Sequence, residues 1–151
     1  MYVPKKTKKK FINSRVVEKI EKCVTLENNQ EYLETRRAFI DKFTLCDMSC
    51  KVVIEHYKKI KKRENEEIKL LLDMRVIPFA MQTCGYNFDR NLLNKVFGGS
   101  RSFIKKGSKS AKKLRDGIVH AMNEDDLKEM MSRSEELFSA MNNYLCIMKN
   151  S

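Results

Sequence analysis

The stretch "RRAFIDKFTLCDMSCKVVIEHYKKI", Arg36 to Ile60, contains neither glycine nor proline. Leu33 just before it, then Phe39, Ile40 and Phe43, then Val52, Val53, Ile54, Tyr57 and Ile60 follow the three-and-four spacing that lines one face of an α-helix. Asp47 either caps a second segment or lies inside one continuous helix. The whole chain shares this bias: five glycines and two prolines in 151 residues, against abundant Lys, Glu, Leu, Met and Ile. Such a composition disfavours turn-rich β sandwiches and barrels and favours helices.

Outward from that stretch, "INSRVVEKIEKCV" predicts a short amphipathic helix, with Ile12, Val16, Ile20 and Val24 on one side and Asn13 or Ser14 as its cap. "ENNQ" punctuates. After Ile60 the charged "KKIKKRENEE" predicts a turn near Arg63 to Asn65. Ile68, Leu71, Leu72 and Ile77 belong to a further helix, which Pro78 should kink and Gly85 should end in the left-handed conformation. "FDRNLLNKVFGGS" predicts a short helix from Asp89, stopped by Gly98 and Gly99. Ser108 or Ser110 caps the next helix, and Asn123 followed by "EDD" starts the last one. That last helix carries Leu127, Met130, Met131, Leu137, Met141, Leu145 and Met148, a stripe better explained as core than as a partner surface. The fold expected is all-α, an antiparallel bundle of four or more helices. Residues 1–10 form a basic flexible arm and 11–151 a single helical domain.

Apolar residues make up 42% and charged residues 34% of the chain, so it can bury a core without disulfides. No apolar run reaches a membrane span and no h-region follows the basic N-terminus, so no membrane role and a cytoplasmic location are expected. The five cysteines, Cys23, Cys46, Cys50, Cys84 and Cys146, include no CxxC pair, and His56 and His120 are the sole histidines. Reduced thiols, no metal and no cofactor are the expectation. "GSKS" from Gly107 matches only the tail of a phosphate-binding loop, with no upstream glycine and no strand before it. His56 reads as structural.

The net charge is +11 and the isoelectric point near 9.5, which favours polyanionic partners. Basic residues gather in the arm (Lys5, Lys6, Lys8, Lys9, Lys10), in Lys58 to Arg63, and from Lys95 through Arg115, a run with no acidic residue. The third run leads into "RDGIVH", Arg115 to His120. Asp116 and His120 are four apart and share a helix face, where a carboxylate can fix an imidazole's tautomer. Arg115 and His120 stand about 140° apart around a straight helix, so they converge only at a bent end or against a second copy of the helix. Gly117 would admit such a close crossing. Arginine grips a phosphate through its bidentate fork, and histidine moves protons near neutral pH. Together they suffice for metal-independent RNA cleavage through attack by the 2′-hydroxyl. Lys105, Lys106, Lys109, Lys112 and Lys113 are placed to guide an RNA backbone. The plain alternative is an ordinary helix in which Arg115 pairs with Asp126 or Glu124 and His120 is a half-buried polar residue near its end.

Arg–polar–x–x–x–His, here Arg115, Asp116 and His120, resembles the Rx4–6H motif of HEPN domains, all-helical modules of about this length in which the motif sits early in a late helix. That resemblance implies Arg115 and His120 as catalytic residues, with Asp116 supporting. It also implies an endoribonuclease of the toxin or antiviral-defence kind, working as a homodimer with a composite site. A small member implies a neutralising antitoxin or a nucleotidyltransferase-type partner. The competing expectation is a non-catalytic module of the same fold that binds nucleic acid or a protein through its basic face.

Overall fold

A computed structural model describes residues 13–63, 76–98, 108–120 and 123–150. Every regular element among them is helical: α1 (Ser14–Thr25), a short 3-10 turn (Leu26–Asn28), α2 (Gln30–Arg63), α3 (Ile77–Thr83), α4 (Arg90–Phe97), α5 (Ala111–His120), α6 (Glu124–Ser132) and α7 (Ser134–Asn150). The all-α expectation is met. The chain divides into two units after Arg36, inside α2, where the sequence reading kept 11–151 whole. The expected arm, the turn beyond Arg63 and the helix through Ile68 lie outside the described residues.

In the first unit, Asn13 caps α1 by accepting a hydrogen bond from the Val16 amide at 2.9 Å. Of the expected apolar side, Val16, Ile20 and Val24 stay exposed, as does Val17, and no residue of α1 is buried; Ile12 lies outside the described residues. Asn29 then accepts from the Tyr32 amide at 3.0 Å, which satisfies a free donor in the first turn of α2.

The second unit holds the core. α2 runs unbroken through Asp47, whose carboxylate pairs with Lys51 one turn on rather than capping anything. Its buried side, Phe39, Phe43, Cys46, Cys50, Val53, Ile54 and Tyr57, meets α7 through Met141 and Tyr144. Phe39 packs edge-on against Phe138, and the Cys46 thiol points at the Met141 carbonyl. The methionine stripe is therefore core: Met130, Leu137 and Met141 are fully buried.

Local signals end the short helices. Pro78 does not kink a helix; it stands in the first turn of α3, where a missing N–H costs nothing. Gly85, at φ 89°, closes α3 with the Tyr86 amide donating back to the Met81 carbonyl at 2.9 Å. Asp89 caps α4 by accepting from the Asn91 amide, and Gly98 ends it at φ 93°. Ser110, rather than Ser108, accepts from the Lys113 amide at the start of α5. The final helix is broken once, at Arg133. There the Ser132 hydroxyl donates to the Glu129 carbonyl, a local bond that competes with the helical ladder.

Burial pushes the Cys46 and Cys50 thiols up to about 12, so both stay protonated and unreactive at neutral pH. Cys23 and Cys146 are exposed. A disulfide-exchange reagent at pH 8 should label Cys23 and Cys146 quickly in the folded protein and reach Cys46 and Cys50 only after denaturant is added. Fast labelling of Cys46 would contradict this packing. Urea titration gives a second check. Met141→Ala should cost about 2–5 kcal/mol, whereas Val52→Ala, on a side chain 67% exposed, should stay within about 0.5 kcal/mol.

Candidate functional site

The approach to α5 is fixed before the motif begins. Lys109 sits just ahead of the helix with its side chain only 17% exposed, and its ammonium pairs with the buried Asp126 carboxylate of α6. The Lys109 amide donates to Glu129 at 3.1 Å, and its carbonyl accepts from the Arg133 guanidinium at 2.9 Å. Arg133 also pairs with Glu129 and with Glu136, which in turn pairs with Lys95. The Arg133 and Lys95 cations hold the Glu136 carboxyl below its usual range. Two cations of the basic run, Lys95 and Lys109, are thus answered by acids from the end of the chain. Lys112 is half-buried and Lys113 exposed, both in the first turn of α5. Lys105 and Lys106 lie outside the described residues.

The close helix crossing expected at Gly117 occurs within the chain. A Cβ on Gly117 would overlap the Asp126 carboxylate, so glycine lets α6 bring that acid against α5. Asp126 is only 3% exposed, and its amide donates to Asn123, the cap of α6, at 3.2 Å. A carboxylate in the first turn of a helix also faces the positive end of the helix dipole.

Arg115 lies in the middle of α5, away from any frayed end. Its guanidinium carbon stands 4.7 Å from the centre of the Phe43 ring, a cation–π contact from α2. Its Nε donates to Asp116 Oδ1 at 2.8 Å. Among the described residues the two terminal nitrogens have no hydrogen-bond partner, and these are the donors that form a fork on phosphate. Asp116 therefore meets Arg115 and not His120, and neither Asp126 nor Glu124 pairs with the arginine. His120, the last residue of α5, is exposed and makes no hydrogen bond among the described residues. Because α5 is a regular helix through both residues, Arg115 and His120 point about 140° apart. One copy does not bring them together.

Phe43 was missed as a site residue by sequence reasoning. It reads as core, and it is core: fully buried and edge-on to Phe97 at 6.2 Å. Its second contact joins residues 72 positions apart, which no local pattern encodes.

No family model, curated protein or solved structure matches the chain. Among the described residues no cluster of His, Cys, Asp and Glu is arranged to hold a metal, and no helix is long and apolar enough to cross a membrane.

Gly117 offers a sharp check because the usual expectation is reversed there. Replacing a mid-helix glycine with alanine ordinarily stabilises by about 0.5–1 kcal/mol. Gly117→Ala should instead destabilise and lower the urea midpoint, since Asp126 must be displaced from its place beside Lys109. A midpoint that rises would show that Asp126 does not occupy that space.

Proposed function

We propose that the protein is a metal-independent endoribonuclease of the HEPN kind, with an antiparallel helical bundle of that family's type and a composite site built by two copies. The observation that carries this reading is the state of Arg115: stacked on Phe43, anchored at Nε by Asp116, and left, among the described residues, with two terminal nitrogens unbonded for a phosphate. A guanidinium already ordered in this way gives up less rotational freedom when it binds.

The chemistry needs no metal. One His120 imidazole takes the proton of a ribose 2′-hydroxyl. The oxygen attacks the adjoining phosphorus, and negative charge builds on the phosphoryl oxygens, where the Arg115 fork neutralises it. The bond to the 5′-oxygen breaks, and a second, protonated His120 returns a proton to the leaving oxygen. A 2′,3′-cyclic phosphate and a free 5′-hydroxyl result. Two copies are required because the two side chains diverge on one helix and because acid and base are separate groups. Lys112 and Lys113 add attraction for the backbone, while Lys109 contributes little, its charge being spent on Asp126. A toxin or defence setting in the cytoplasm, with an antitoxin or nucleotidyltransferase-type partner, belongs to the same reading.

A second reading rests on one specific observation. A catalytic histidine is usually oriented by a third group, and here Asp116 is engaged by Arg115 while His120 has no partner among the described residues. That arrangement favours a non-catalytic module in which Arg115 only binds phosphate.

Incubating a mixed RNA pool with the protein in EDTA separates the two. The nuclease reading expects cyclic phosphate ends, and at least a 100-fold loss of cleavage in both His120→Ala and Arg115→Ala. Equal binding by the intact protein and His120→Ala, with no cleavage by either, would sink it and leave the binding module. Phe43→Leu keeps the site apolar but removes the ring beneath Arg115, and should weaken RNA binding along with cleavage.

A further inference from the structure

The turn between α3 and α4 encloses a cavity of about 260 Å³ that plays no part in the chemistry above. We propose that it is a pocket for one unpaired RNA base and its adjoining phosphate, which fixes where a bound strand enters. The inference rests on the RNA reading of the basic chain.

Three kinds of group meet there. Phe79, Tyr86 and Phe88 supply aromatic rings, Gln82 and Asn87 supply amides, and Arg90 supplies a guanidinium. Phe79 is 56% exposed, an unusual position for a phenylalanine that could have turned inward beside Ala80 and Met81, both fully buried. Neither amide side chain has a hydrogen-bond partner among the described residues, and Arg90 has no ion pair there. Aromatic faces stack any base, amides carry both the donors and the acceptors that read a base edge, and an arginine fork takes phosphate. With a net charge of +11, an anionic strand is favoured over an aromatic peptide side chain.

The pocket is held open by its own frame. Phe88 stacks on the fully buried Tyr144 ring with centres 5.0 Å apart and planes 14° apart, which ties the turn to the core. Gly85 in the left-handed region sets the direction of the chain into Tyr86. α4 packs directly on α5, so the pocket and Arg115 belong to adjoining helices. A base seated in the pocket would hold its strand close to the motif helix, and it would select unpaired RNA, because a paired and stacked base has neither a free face nor a free Watson–Crick edge to offer.

The test uses the full chain carrying His120→Ala, so that the probe is not consumed, and a single-stranded RNA containing 4-thiouridine. Irradiation should place adducts on Phe79 or Tyr86. Adding Phe79→Ala should weaken binding about 5- to 100-fold, the range expected for one lost stack. Tyr86→Phe should bind nearly as well as the parent, because the ring remains. Arg90→Gln should lower the salt dependence by about one counterion. Phe79 and Arg90 are exposed, so these variants should fold, and unchanged circular dichroism would verify it. Adducts confined to other segments, with binding unaffected by Phe79→Ala, would overturn the pocket and leave the RNA reading standing. Binding of duplex and single strand with equal strength would also overturn the pocket. Failure to bind any RNA would overturn both.

Discussion

A carboxylate buried against a glycine sets the geometry on which the motif helix depends. Asp126 would be costly in this position alone, since a charge removed from water must be repaid by its partners. Here it has three sources of repayment: the Lys109 ammonium, the positive end of α6 and a cap that already orders the turn. Removing one partner of such a pair typically costs about 3–5 kcal/mol, because the other is left charged and buried. The arrangement specifies more than it stabilises. α5 can sit at this depth on α6 only where its surface has no side chain, and Gly117 is that place. The rotation of α5 follows, and with it the side on which Arg115 meets Phe43.

Around this contact the acidic residues of the C-terminal helices act as a brace. Glu129, Arg133, Glu136 and Lys95 link α6 and α7 to α4, and the backbone of Lys109 is held at both its amide and its carbonyl. The half-buried Arg133 bonds are worth more than the exposed Lys95 pair, whose charges water screens. The brace also changes how the basic run from Lys95 to Arg115 should be read. Its uninterrupted sequence suggests a uniform positive face, yet Lys95 and Lys109 serve the fold. Among the described residues of α5, Lys112, Lys113 and the terminal nitrogens of Arg115 are the cations left to attract a polyanion.

Much of the fold is legible in short windows, and the reason is local physics. Asn13, Asp89, Ser110 and Asn123 cap helices because each offers a side-chain oxygen to free amides in the turn ahead. Gly85 and Gly98 end helices at positive φ. Pro78 misleads for an equally local reason: a proline inside an apolar pattern can kink one helix or begin another, and the pattern alone does not separate them. The motif at Arg115 to His120 is visible as a string, but its pairing is not. Nothing near it in sequence reveals that Asp126 belongs to Lys109 and Gly117, or that Phe43 lies under Arg115. The aromatic turn "GYNF", Gly85 to Phe88, does carry a signal, two rings beside amides and an arginine, but it also reads as a helix stop.

Phe43 carries the remaining step, because it belongs to the core and to the site at once. Its ring packs on Phe97 and also supports Arg115. Phe97 in turn packs edge-on to Tyr144, and Tyr144 stacks on Phe88 at the rim of the α3–α4 cavity. Four rings therefore run without interruption from the guanidinium to the cavity through the middle of the second unit. Close-packed interiors pass displacement from one side chain to the next, because no void absorbs it. A base that moved Phe88 would press on the same stack that holds Arg115, and a phosphate that drew Arg115 off its ring would relax it. Rigidity in this row holds a cation on α5 and a cavity between α3 and α4 at a constant separation.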